Sequence, residues 1–166
     1  MSTDEVTATE GGRTRLKQLE LEGDIAADYL DALLAIADFE FDMVVDVEGD
    51  RAMISIAGAE LTELVGPGGR VLDALQELSR LAVTRETSER SRLMLDVAGF
   101  RAARRAELVT LGEDAVAEVE RTGAPVKLAA MTAFERKVVH DVVAAHGLVS
   151  SSEGAEPDRR IVVAPA

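Results

Sequence analysis

A glycine-rich loop is the stretch of this sequence best suited to hold a phosphate group. Gly66 and Gly69 are separated by Pro67 and Gly68 and are followed by Arg70, at the start of an amphipathic segment. Glycines let backbone N–H groups approach a phosphate closely, and the positive end of the helix dipole favours an anion. The same residues are common in ordinary turns, so both interpretations stay open for the loop alone. The dinucleotide-binding G-x-G-x-x-G pattern and the lysine of a P-loop are absent.

A second group of candidate binding residues lies near the end of the chain. Arg136 and His140 are four residues apart in a segment that begins with the capping-box pattern Thr132 to Glu135, so they should share one face of a helix. An arginine can donate two hydrogen bonds to a phosphate, and a histidine can donate to it or stack on a base. With Lys137, they form a candidate nucleic-acid contact. The alternative is that Arg136 pairs with a nearby acid and His140 is half-buried.

Further arginines occupy positions where their use is ambiguous. Arg101, Arg104 and Arg105 lie near the start of a predicted helix, where cations oppose the helix dipole. Such a placement suggests a phosphate-binding track, although pairing with acids such as Glu107 explains it equally well. Arg160, beside the last predicted strand, is open to the same two interpretations.

The sequence offers no catalytic arrangement. It has no cysteine, which excludes disulfides and cysteine-based zinc sites, and it has no G-x-S-x-G motif or Ser/His/Asp order. The two histidines, His140 and His146, are six residues apart and would lie on different faces of a helix. We therefore expect a binding protein that is not an enzyme and that uses neither a metal nor a cofactor.

Composition indicates a folded chain with an uneven charge distribution. The 166 residues are 47% hydrophobic and 30% charged, enough for one domain or two small ones. A net charge of −13 argues against nucleic acid, but residues 1–65 hold 16 acidic and 4 basic residues, whereas residues 66–166 hold 15 and 14. The net charge from the Gly loop onward is thus close to zero, and the local charge matters more for binding than the total. Because no signal-peptide pattern and no apolar run of about 20 residues occurs, we expect a soluble, cytoplasmic protein without a transmembrane segment.

Hydrophobic periodicity predicts an α+β chain with two units after an acidic, disordered tail at residues 1–22. For the first unit we predict, in order, a helix at 24–37, strands at 43–47 and 52–56, a short helix at 59–64, the Gly loop, a helix from about 70, and a strand at 92–97. For the second we predict a helix at 100–121, a strand at 126–128, a helix at 133–146, and strands at 148–150 and 160–163.

These patterns together resemble a known family. A G-x-x-G loop within the order helix-strand-strand-helix-helix-strand is similar to a type II KH domain, whose loop clamps an RNA backbone. The R-x-x-x-H spacing resembles the R-three-H domain, whose members bind single-stranded nucleic acids. A KH domain followed by an R-three-H domain resembles the Jag family of bacterial RNA-binding proteins, also called KhpB. The matching segments are 72–76, 95–101, 122–126, 134–140 and 152–163.

The resemblance, over about residues 24–164, implies a KH domain at 23–99 and an R-three-H domain at 100–166. It implies binding of single-stranded RNA and post-transcriptional regulation linked to the cell envelope or to division. A small KH-domain protein as partner and proximity to a membrane insertase are also implied. The implied RNA-binding residues are Gly66, Pro67, Gly68, Gly69, Arg70, Arg101, Arg104, Arg105, Arg136, Lys137, His140 and Arg160.

The Gly loop departs from the family pattern. Family loops usually have basic residues between the two glycines, whereas this chain has Pro67, which lacks an N–H, and Gly68. Arg70 is then the only charge beside the loop, and we expect the R-three-H half to supply more of the affinity. The alternative function is a protein-interaction module with weak or lost RNA affinity.

An aromatic content of 3% is compatible with an aliphatic binding groove rather than an aromatic platform.

Overall fold

The computed structural model describes the backbone of residues 3–166 and the side chains of residues 11–166. The chain divides into two compact units, Met1–Phe100 and Arg101–Ala166, and both combine helices with a three-stranded sheet. The predicted α+β class is therefore confirmed.

The first unit has the element order predicted from the sequence. Its elements are helix α1 (Thr3–Ile36), strands β1 (Asp42–Glu48) and β2 (Arg51–Ala57), the short helix α2 (Thr62–Val65), helix α3 (Arg70–Thr87) and strand β3 (Met94–Val97). The sheet order is β1-β2-β3, with β1 antiparallel and β3 parallel to β2. Helices α2 and α3 connect β2 to its parallel neighbour β3, and α3 packs against α1, α2 and β3.

The core of the first unit lies between α1, α3 and one face of this sheet. Ala52, Ile54 and Ile56 alternate along β2 and are buried, as expected for a strand with one covered face. Leu30 and Leu34, one helical turn apart on α1, pack into the same core.

The prediction of a disordered tail is wrong for the residues that the structure describes. Met1 and Ser2 lie outside the described residues, but residues 3–22 belong to helix α1. Leu19 is only 2% exposed, and the buried carboxylate of Glu22 accepts a 2.7 Å hydrogen bond from Ser91 Oγ. Gly23 permits close packing, because a Cβ there would lie 2.6 Å from Cγ1 of Val45. Tertiary contacts thus stabilise a segment whose own periodicity is weak.

The second unit also has the predicted order. It contains helix α4 (Phe100–Thr122, whose first residue is counted with the first unit), strand β4 (Val126–Ala130), helix α5 (Ala133–Ala145), and strands β5 (Val149–Glu153) and β6 (Arg160–Ala164). The sheet order is β4-β6-β5, and both pairings are antiparallel. Leu108 and Val119 of α4 pack with Val139 of α5 and Ile161 of β6 in a separate core.

No helix among the described residues combines the length and apolar character needed to cross a membrane.

Candidate nucleic-acid interface

The Gly loop is a tight turn, and its three glycines are needed for different reasons. Gly66, Gly68 and Gly69 all have positive φ, at 70°, 62° and 82°. Gly69 is buried, and a Cβ there would lie 2.6 Å from Cε1 of Phe100. A Cβ on Gly66 would collide with Val71, whereas Gly68 faces open space. The first and last glycines of the loop are therefore needed for packing, and Gly68 with Pro67 forms its exposed tip.

The loop uses much of its own hydrogen-bonding capacity. The N–H of Gly69 donates to Gly66 O at 3.2 Å, and that of Arg70 donates to Pro67 O. The N–H of Gly66 donates to Thr62 O at 3.0 Å. Since Pro67 has no N–H, little of the loop backbone remains for a phosphate. Arg70 is exposed as the first residue of α3, the position expected from the sequence.

Arg136 is directed into the second unit. It is 8% exposed, and its Nη1 donates to Met131 O at 2.6 Å. Its Nη2 pairs with Glu156, in the segment between β5 and β6. The guanidinium thus joins the start of α5 to the β5–β6 connection, which corresponds to the acid-pairing alternative considered for this residue.

His140 shares the face of Arg136, as the four-residue spacing predicts, and it is half-buried. Its Nδ1 lies 2.6 Å from Ser150 Oγ and its Nε2 lies 3.1 Å from Ser152 Oγ, both on β5. Hydroxyl groups can donate or accept, so they can satisfy either tautomer of the ring. Lys137 lies on the outer side of α5, where it is exposed and pairs with Asp141 at 2.8 Å.

Arg104 is part of a hydrogen-bond network at the start of α5. Its Nε donates to Glu135 Oε1 at 2.8 Å, and its Nη1 pairs with Glu107 at 2.8 Å. The other oxygen of Glu135 accepts the N–H of Thr132 at 2.8 Å, which completes the predicted capping box. Burial raises the pKa of Glu135, but the Thr132 N–H and the Arg104 guanidinium outweigh it and lower that pKa below its usual value.

Acid is expected to weaken the second unit through Glu135. A carboxyl whose pKa is lower when folded contributes stability above its unfolded pKa and loses it as pH falls through the folded pKa. We expect Glu135→Gln to cost about 1–2 kcal/mol at pH 7, because the amide keeps the cap but loses the charged bond to Arg104. The cost should shrink below about pH 4, as the wild-type carboxylate becomes protonated. Urea unfolding at pH 7 and pH 3 measures both effects.

The control for this measurement is Glu118→Gln. Glu118 also pairs with an arginine, Arg121 at 2.7 Å, but on the exposed surface of α4. Its replacement should leave the unfolding midpoint unchanged. An equal cost of Glu135→Gln at both pH values would contradict the assignment.

The structure brings together a pair that the sequence did not single out. The guanidinium of Arg105 lies over the ring of Phe134, 5.7 Å from its centroid, and Phe134 is 41% exposed. An exposed aromatic ring is unusual in a chain with five aromatic residues. Its position in the first turn of a helix that begins with a capping box was the signal that could have found it. Of the other candidates, Arg101 is partly exposed at the start of α4, and Arg160 is exposed at the start of β6.

Within residues 11–166, no group of three or more acidic or histidine side chains is placed to hold a metal ion. His140 contacts the serines of β5, while Nδ1 of His146 lies 2.9 Å from Val142 O. The two histidines therefore have separate surroundings.

Comparison with known proteins decides the family. The RNA-binding protein KhpB of Clostridium symbiosum is 30% identical over 152 residues, which cover 90% of this chain and 68% of that protein. The chain belongs to the KhpB family. This confirms the resemblance to the Jag family, which is also called KhpB.

Two further KhpB proteins support this assignment. The RNA-binding protein KhpB of Lactiplantibacillus plantarum is 34% identical over 138 residues, covering 82% of this chain and 43% of that protein. The protein of the same name from Bacillus subtilis is 26% identical over 138 residues, covering 81% and 66%. The family model of the R-three-H domain matches residues 106–165, from α4 to β6. All three relatives have the name RNA-binding protein.

Proposed function

We propose that this KhpB-family chain binds single-stranded RNA and performs no catalysis. The observation that carries the proposal is the similarity, over 90% of the chain, to a relative named as an RNA-binding protein. The R-three-H match over residues 106–165 supports it, because that domain type binds nucleic acids.

The geometry of the second unit favours a contact on the outer face of α5 and the adjacent part of α4. Phe134, Arg105 and Lys137 are exposed there. An unstacked base can stack on an aromatic ring or a guanidinium plane, and a lysine can contact the neighbouring phosphate. Arg136 and His140 would act beneath this face by holding α5 against β5 and the β5–β6 connection.

The finer features follow from the family resemblance and belong to the same proposal. We place the KH domain at residues 23–99, with the exposed loop tip Pro67–Gly68 and Arg70 as its weaker contact, and the R-three-H domain at residues 100–166. A role in post-transcriptional regulation in the cytoplasm, linked to the cell envelope or to division, is proposed on this basis. A small KH-domain partner and a nearby membrane insertase are proposed on the same basis.

Salt dependence of RNA binding tests the proposal. We expect the full chain to bind a labelled mixed-sequence single-stranded RNA, with a log–log slope against salt of about −2 to −3 for three or four phosphate contacts. Fluorescence anisotropy at several salt concentrations measures the slope. Absence of binding at low salt would contradict the proposal and favour the alternative of a protein-interaction module.

A further inference from the structure

Four arginines of the first unit line a single cleft that no sequence motif predicted. The cleft has a volume of about 600 Å³ and is lined by Arg51, Arg80, Arg90, Ser91 and Arg92. These residues come from the start of β2, the middle of α3 and the segment before β3. Four guanidinium groups and one serine line it, and two of these guanidinium groups pair with the carboxylates of Glu77 and Asp50.

This concentration of positive charge occurs in the acidic part of the protein. Residues 1–100 contain 9 basic and 21 acidic residues, and four of the nine basic ones line this cleft. Arg80 and Arg92 are each paired with a carboxylate, so the unbalanced positive charge of the cleft comes from Arg51 and Arg90, and it favours an anion.

Two of the four arginines already bond to other residues of the first unit. Arg80 Nε donates to Leu93 O at 2.8 Å, and its Nη1 pairs with Glu77 at 2.8 Å. Arg92 pairs with Asp50 in the turn between β1 and β2. The Arg80 bond to Leu93 ties α3 to the segment before β3, whereas the exposed pair of Arg92 with Asp50 contributes little stability.

The other two arginines are available to a ligand. Among the side chains of residues 11–166, neither Arg51 nor Arg90 forms an ion pair or a side-chain hydrogen bond. Ser91 is buried, and its hydroxyl donates to Glu22 and accepts from the Leu93 N–H, so it anchors the segment that bears Arg90 and Arg92. The planar guanidinium group matches phosphate oxygens in a two-pronged arrangement.

The cleft is separate from the Gly loop. Arg80 lies ten residues beyond Arg70 on α3, about 15 Å along the helix axis. The Gly loop packs against Phe100, which follows β3, whereas Arg90 and Arg92 precede that strand. Because the loop has only Arg70 as a nearby charge and few free N–H groups, the cleft is a second and more strongly charged candidate for a phosphate contact in the first unit.

We infer that the cleft lined by Arg51, Arg80, Arg90 and Arg92 binds a phosphate group. This inference rests on the function proposed above, so the phosphate group is a phosphodiester of the bound RNA. Arg51 and Arg90 contact the phosphate, and Arg80 and Arg92 shape the cleft.

The test compares two doubly substituted full-length chains. Arg51→Gln with Arg90→Gln removes the two guanidinium groups that form no ion pair with the side chains of residues 11–166. Arg85→Gln with Arg121→Gln removes two exposed arginines outside the cleft. Both should keep the wild-type unfolding midpoint. Labelled RNA is titrated over a range of salt concentrations, and inorganic phosphate is titrated separately while the amide NMR signals of Ser91 and Arg92 are followed.

We expect the first double variant to bind RNA about ten-fold more weakly, with a salt slope shallower by about 1.4, because two contacts are lost. The control should stay within about two-fold of wild type. Wild-type affinity and slope in the first variant, with RNA binding otherwise intact, would overturn the inference and leave the proposed function standing.

If the wild-type chain binds no RNA, the proposed function fails and the phosphate titration decides about the cleft. Shifts of Ser91 and Arg92 that disappear in the first double variant support a site for free phosphate. Absence of such shifts overturns the site altogether.

Discussion

Replacing Gly69 by alanine is expected to destabilise the first unit by about 2–5 kcal/mol. The residue has φ 82° and ψ 15°, a left-handed conformation that costs a side-chain-bearing residue about 1–2 kcal/mol. The added Cβ would also lie 2.6 Å from the Phe100 ring, and such overpacking costs about 1–3 kcal/mol more. Urea unfolding of the full chain, followed by circular dichroism, measures the change.

Gly68→Ala is the matched control. Gly68 has nearly the same backbone conformation, φ 62° and ψ 18°, but its added Cβ meets nothing within 4 Å. It should cost about 1–2 kcal/mol from the backbone alone. Equal losses for both substitutions would mean that Phe100 moves aside and that Gly69 is not needed for packing. A loss of RNA affinity in Gly68→Ala under folding conditions would support a contact at the exposed loop tip.

Replacing Arg136 by alanine is the second large effect that we expect. Loss of the guanidinium leaves the Met131 carbonyl without its donor and breaks the pair with Glu156, at a cost of about 2–4 kcal/mol. From the sequence alone, the expected result of this substitution is weaker RNA binding without unfolding of the protein. The burial of the Arg136 side chain changes this expectation, because the guanidinium that is removed stabilises the fold.

Lys137→Ala provides the comparison for this prediction. Lys137 is the next residue on α5, is exposed, and makes only a surface pair with Asp141. Its removal should cost about 0.5 kcal/mol or less and weaken RNA binding by removing a phosphate contact. Unfolding midpoints and RNA affinity are measured for both variants under conditions where each is folded. If Arg136→Ala keeps its stability and loses RNA affinity, Arg136 contacts the RNA directly.

The two units that we propose to bind RNA would act together even if each binds weakly. Binding of one unit raises the effective concentration of the other near the same strand. This permits the first unit to contribute despite its poorly charged loop, and the arginine cleft would add a contact that depends on phosphate rather than on base identity.

Local sequence patterns were enough to predict the order of the elements, the α+β class and the family. The patterns that mattered are the alternation in β2, the Thr132–Glu135 capping box, and the glycines at 66 and 69. Such signals act between residues a few positions apart, so they can be read along the chain.

Where the charged side chains act depends instead on the tertiary structure. Helix α1 includes residues 3–22, and its part around Leu19 and Glu22 is held by tertiary contacts, because Leu19 is buried and Glu22 bonds to Ser91, 69 residues away. Arg136 is directed inward because an acid 20 residues later lies opposite it. The arginine cleft is assembled from β2, α3 and the segment before β3. Burial and ion pairing depend on partners that are distant in the chain, and local periodicity contains no information about those partners.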